Sequence, residues 1–183
     1  MPSIYIANSS SLALFASGRT SGLIVECGAG ITSSVPVFEG LALAHASTTL
    51  EFGGQDVSAN IRNALADRGV QVDSGYARML KEKMAFVNVA GRTGGQEQSL
   101  FSLPDGTDVS VETDLFGRCT EQLFVNDSVE PAGLSAQVFE SIQLCDDTLM
   151  KEFSHNVVVS GGSSMIAGMV WARCDRGGGV GWG

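Results

Sequence analysis

The residues best suited to chemistry lie in the run Leu23-Ile-Val-Glu-Cys-Gly-Ala-Gly-Ile-Thr32, where an apolar strand ends at one carboxylate, Glu26, and turns on Gly28 and Gly30. A second strand, Asn156 to Val159, runs into Ser160-Gly-Gly-Ser-Ser164 and then a helix from Met165. Strand, glycine pair and helix together aim backbone N–H groups and a positive helix end at one point, the arrangement that favours an anionic ligand. Two such features in one chain suggest a ligand shared between them. A polar triplet, Arg78, Lys81 and Glu82, occupies one side of an expected helix from Tyr76 to Val87 whose other stripe is Tyr76, Leu80, Lys83 and Val87.

Taken singly, each feature has a blander reading. Most glycine turns between strands serve backbone geometry only, and a charged triplet on a helix is usually a solvated face. His45 and His155 are isolated, and the chain has no G-x-S-x-G, no G-K-[ST] phosphate loop and no paired-carboxylate spacing.

The elements that must position these residues follow from periodicity. Ile4 to Ala7 reads as a short strand, and Leu12, Leu14 and Phe15 as a helical turn stopped at Gly18. Leu23 to Val25 and Ile31 to Phe38 form a hairpin around Gly28 and Gly30, glycine being free to take positive φ, and Pro36 places the second strand near an edge or at its end. Strand-like Thr49 to Phe52 leads to a helix opened by Gly53-Gly54, with Val57, Ile61, Ala64 and Leu65 on its apolar face and Gly69 closing it. Ser99 to Leu103 and Val109 to Val111 are joined by the turn Pro104-Asp105-Gly106. Ser135 to Phe153 reads as one long helix, with Val138, Ile142, Cys145 and Leu149 in step.

Composition bounds the function. With 44% hydrophobic and 17% charged residues, the 183-residue chain can bury a core and is globular rather than disordered. A net charge of −9 without a dense Lys/Arg cluster argues against nucleic acid and against anionic membranes as partners. Cys27, Cys119, Cys145 and Cys174 lie far apart with no C-x-x-C pair, which reads as reduced thiols rather than zinc or a disulfide framework. From a start without a basic segment and the lack of a long apolar run, the chain is expected in the cytoplasm or nucleus.

Seven blocks in order carry a resemblance. They are Ala16-Ser-Gly-Arg-Thr20, Gly22 to Thr32, Val35-Pro-Val-Phe-Glu-Gly40, Ala42-Leu-Ala-His45, Lys81-Glu-Lys83, Leu103-Pro-Asp-Gly106 and Val159-Ser-Gly-Gly-Ser-Ser-Met165. In order and near-spacing they resemble actin and the actin-related proteins, from Tyr5 to about Gly168, and correspond to the second half of an actin, subdomains 3 and 4. The resemblance implies an α/β fold: the actin-like ATPase domain of ribonuclease H-like type, second domain only, with an inserted smaller α+β lobe. Residues 1–16 would be a remnant of the inter-domain strand and helix, 17–52 and 132–170 the larger lobe, 53–131 the smaller lobe, and 171–183 a glycine-rich tail.

By the same resemblance, Gly28, Ala29, Gly30 and Ile31 would line nucleotide phosphates, and Glu26, the one candidate for a catalytic role, would face hydrated Mg²⁺. Gly161, Gly162 and Met165 would wall the adenosine, Arg78, Lys81 and Glu82 would reach the base or ribose, and Gly54 would approach the ribose. The implied cofactors are ATP or ADP with Mg²⁺. Departures from the family pattern bear on hydrolysis: Glu26 and Ala29 stand where the family has Asp, Ser9 where it has a water-orienting Gln, and Ser33 where it has a His. Losing such positioning costs on the order of 10²–10⁴ in rate, so little or no hydrolysis is expected. Ile166 replaces an aromatic residue against the adenine, and residues 125–131 are shorter than the family's inter-strand plug, which argues against ordinary filaments. The first phosphate loop and its Lys have no counterpart, leaving one wall of a two-walled cleft.

Implied partners are actin or actin-binding proteins, or subunits of an actin-related complex, in the cytoplasm with the cytoskeleton or in the nucleus. A non-catalytic interaction module that uses no nucleotide is the rival reading, and an incomplete gene product a third.

Overall fold

A computed structural model describes residues 2–4, 6–87, 98–103, 106, 108–125 and 133–169. In chain order the elements are α1 (Ser9–Ala16), β1 (Gly22–Cys27), β2 (Thr32–Phe38), β3 (Leu41–Ala42), β4 (Thr48–Leu50), α2 (Gly54–Ala66), α3 (Ser74–Met84), β5 (Gln98–Ser102), β6 (Asp108–Glu112), α4 (Asp114–Glu121), α5 (Leu134–Gln143), α6 (Asp147–His155) and β7 (Val157–Ser160). Short 3₁₀ turns follow β3 and β7, at Ala44–Ala46 and Gly162–Met165.

The apolar run Leu23-Ile24-Val25 becomes a central strand because both its faces are covered, the condition under which strands lose polar alternation. Leu23, Val25 and Cys27 point into the larger core with α2 to α6, whereas Ile24 packs with Leu14 of α1 and with Val35 and Val37. β1 pairs with β2 antiparallel, from Gly22↔Val37 to Cys27↔Thr32, and with β7 parallel, from Leu23↔Val157 to Glu26↔Ser160. The sheet order is β3-β2-β1-β7, with β4 also beside β2. A separate hairpin joins β5 and β6, from Gln98↔Glu112 to Ser102↔Asp108.

Pro36 lies inside β2 and is buried, not at a sheet edge. β2 meets β4 through residues 32–34 and β3 through 37–38, and Leu43 N donates to Pro36 O at 2.8 Å. The proline's missing N–H points the same way as that carbonyl, so it falls where the neighbour changes. One buried side chain ties the far side together. The amide of Gln137 on α5 donates to Thr32 O at 2.9 Å and to Thr48 O at 3.0 Å, joining the starts of β2 and β4.

Several expected elements take another form. Residues 4, 6 and 7 lie in no strand; Ile4 and Ile6 are 88% and 91% exposed, with no neighbouring strand among the described residues, and residue 5 lies outside them. The long C-terminal helix is two, α5 and α6, broken at residues 144–146. Asp146 is extended at the break and its carbonyl starts the next helix by accepting from Leu149 N at 2.8 Å. Both pieces pack on one core, which is why the apolar spacing runs through the break. α3 ends at Met84, so Val87 lies beyond it and Lys83 is exposed, while Ala77 and Leu80 carry its buried face. The chain after Gly162 makes a 3₁₀ turn instead of opening a long helix at Met165. α4, held by Leu115, Phe116 and Cys119, has no counterpart in the expectations above. Pro104 and Asp105 of the expected turn, most of residues 125–131 and the glycine-rich tail lie outside the described residues.

Cys27, Cys119 and Cys145 are buried. Burial pushes the Cys27 thiol up to about 12. Because the thiolate is the reactive form, iodoacetamide at neutral pH is expected to leave Cys27 unmodified in the folded chain and to label it in denaturant. Mass spectrometry of the peptide carrying Cys27 reads the result; equal labelling in both states would show the strand to be open.

Candidate functional site

β1 hands the chain to a bend over residues 28–31, closed by Gly28 N donating to Ile31 O at 3.0 Å. Neither Gly28 nor Gly30 takes a left-handed backbone, contrary to the expectation of positive φ. The need for glycine is spatial at the first position, where a Cβ would lie 2.7 Å from Ile31 O. At Gly30 a Cβ would meet nothing within 4 Å; the position opens on empty space. The second bend does need a left-handed residue, since Gly161 has φ 92°. It also presses on β1, where an added Cβ would come 2.4 Å from Cys27 O.

The two bends meet. Gly28 O accepts from Ser163 Oγ at 2.9 Å and from Gly54 N, the first residue of α2, at 3.0 Å; Ala29 O accepts from Gln55 N at 2.7 Å. With these carbonyls turned into the protein, the N–H groups of Ala29, Gly30 and Ile31 find no acceptor among the described residues. Lys81 reaches the same spot from α3, its Nζ donating to Gly54 O at 2.8 Å. Burial lowers the Lys81 pKa, opposed by the Glu82 carboxylate and reinforced by the Arg78 charge. Arg78 and Glu82 form an exposed pair at 2.9 Å.

A cleft of about 810 Å³ opens beside the bends, within the size range of small-molecule sites. Ala29 borders it on one side, and Gly162, Ser163, Met165 and Ile166 on another. α3 contributes Ser74, Gly75, Arg78, Lys81 and Glu82; α2 contributes Gln55, Ser58, Ala59 and Arg62. Of the residues expected at a site, the fold thus gathers Ala29, Arg78, Lys81, Glu82, Gly162 and Met165 around one space, with Gly28, Gly54 and Gly161 in the framework behind it. Met165 stands at the rim, 84% exposed, and Gly30 and Ile31 are exposed on the outer side of the bend. The α2 residues were absent from the expectations. Their spacing of three, one and three on the face away from Val57, Ile61 and Leu65 is the signal that marks them.

Glu26 lies apart from the cleft lining. One of its oxygens, Oε2, accepts from both Ser10 Oγ, at 2.6 Å, and Ser9 Oγ, at 3.1 Å, at the start of α1. The lining of the cleft thus carries Arg62, Arg78 and Lys81 against a single carboxylate, Glu82, which is paired with Arg78. Among the described residues no group of three or more His, Cys, Asp or Glu side chains could hold a metal ion.

These features define a mixed α/β protein with a glycine-built cleft at the ends of parallel strands β1 and β7. A protein-family model described as Actin matches residues 1–90 and 75–173. The chain belongs to the actin family. Among the described residues no helix is long and apolar enough to cross a membrane.

Proposed function

We propose that this chain is an actin-like protein whose cleft forms one wall of an ATP or ADP site and hydrolyses the nucleotide slowly or not at all. The observation that carries the reading is the meeting of the two glycine bends through Gly28 O at a cleft lined by Ala29 and Lys81, with the N–H groups of Ala29, Gly30 and Ile31 left unpaired among the described residues. Successive unpaired amides and a partly buried ammonium suit phosphate oxygens. Arg78, Glu82, Gly162 and Met165 then lie along the cleft for ribose and base. On this reading residues 17–52 and 132–170 form a subdomain 3-like lobe of ribonuclease H-like type, and 53–131 a subdomain 4-like insertion.

Weak hydrolysis follows from the Ser9 hydroxyl. It donates to Glu26 and is too short to orient an attacking water as well. A cytoskeletal or nuclear role beside actin, actin-binding proteins or subunits of an actin-related complex completes the proposal.

Titration of the purified chain with a fluorescent ATP analogue tests it. Saturable binding in the micromolar to millimolar range is the expected result. No saturation at millimolar ligand would leave the rival, an interaction module that uses no nucleotide, a reading favoured by the engagement of Glu26 away from the cleft.

A further inference from the structure

We infer that this cleft takes its nucleotide as the free polyphosphate, without a divalent cation, its charge met by the Lys81 and Arg62 cations that line it. The inference rests on the nucleotide reading above and concerns what accompanies the nucleotide.

Each carboxylate on the elements that build the site has one oxygen engaged by a donor. Glu26 Oε2 accepts from Ser9 and Ser10 together. Asp56 Oδ2 accepts from Gly53 N at 2.8 Å, Asp73 Oδ1 from Tyr76 N at 2.6 Å, and Glu82 Oε1 from Arg78 Nε at 2.9 Å. Mg²⁺ keeps several waters in near-octahedral order and needs acceptors that face those waters at fixed spacing. On Glu26 the two hydroxyls converge on the same oxygen and hold the carboxylate toward the start of α1, off the cleft lining.

The cations show the opposite pattern. Lys81 Nζ gives one hydrogen bond, to Gly54 O, and has N–H groups to spare. A Cβ added at Gly54 would lie 3.0 Å from Lys81 Nζ and 3.5 Å from Gly28 O, which puts the ammonium at the start of α2, where that helix meets the bend. Arg62 lines the same cleft from α2 with no carboxylate partner among the described residues. The uncompensated charge facing the cleft is therefore positive. A site so built meets a polyphosphate directly, and a cation riding on the phosphates would face Lys81 and Arg62, with Glu82, paired to Arg78, the one carboxylate on the lining.

Binding of fluorescent ATP analogue to the full chain, measured once in EDTA and once in excess Mg²⁺, tests this, together with Lys81→Met and Lys81→Arg checked for an unchanged thermal transition. The expected result is an affinity in EDTA equal to or tighter than in Mg²⁺, a loss of about tenfold in Lys81→Met that Mg²⁺ does not restore, and recovery in Lys81→Arg. Binding weaker by about tenfold in EDTA than in Mg²⁺ would overturn the inference while leaving the nucleotide site standing. Unaltered affinity in Lys81→Met would overturn the role given to the ammonium. No saturation under either condition would overturn the nucleotide reading and this inference with it.

Discussion

Replacing Gly161 with alanine is expected to destabilise the whole chain by about 3 kcal/mol or more. The residue sits at φ 92°, which L side chains rarely adopt, at a cost of roughly 1–2 kcal/mol. The larger effect is steric. An alanine Cβ would stand 2.4 Å from Cys27 O and 2.8 Å from Cys27 C, backbone atoms of the central strand that cannot turn aside as a side-chain tip could. Relief requires prying β7 from β1, and that pairing, Leu23↔Val157 to Glu26↔Ser160, holds the two bends together. For a domain of this size each kcal/mol moves the melting temperature by roughly 2–4 °C, so a fall of about 6–12 °C in a thermal scan is the expected reading. A variant melting within about 2 °C of the parent would mean that the second bend does not press on β1.

Gly30→Leu carries the complementary expectation: unchanged folding and lost binding. A Cβ at this position would meet nothing within 4 Å beyond its chain neighbours, and the backbone there is not left-handed, so the melting temperature should stay within about 2 °C. The same open space is where the N–H groups of residues 29–31 would meet phosphate oxygens. An isobutyl group placed there should cut nucleotide affinity by at least about tenfold, and Gly30→Ala by less. Calorimetry and ligand titration on one preparation read both halves. Full affinity in Gly30→Leu would take the bend out of the site.

The paired glycine substitutions separate two roles that look identical in the sequence. Gly28, Gly30 and Gly161 all stand at the end of an apolar run, and the run alone names them as turn residues. Their reasons for being glycine differ: contact with Ile31 O for Gly28, none from the protein for Gly30, and a left-handed backbone packed on Cys27 for Gly161. Such reasons are set by atoms far along the chain, and no local pattern carries them.

What the sequence determined by itself was the strand-bend-strand around Glu26, α1 with its stop at Gly18, the apolar face of α2, and the order of blocks that marks the actin family. These rest on periodicity and on glycine, which act within a few residues. Tertiary structure alone decided the rest. It split the long C-terminal helix at Asp146, because two short helices can follow the sheet where one straight rod cannot, and it left Ile4 and Ile6 without a strand to join. It turned the α2 face of Gln55, Ser58, Ala59 and Arg62 toward α3 to make a cleft. It also bound Glu26 to Ser9 and Ser10, hydroxyls sixteen and seventeen residues upstream, because α1 packs across the sheet and brings its start to the end of β1. A carboxylate's environment depends on what the fold brings beside it, and hydrogen-bond partners that distant are fixed only when the chain closes on itself.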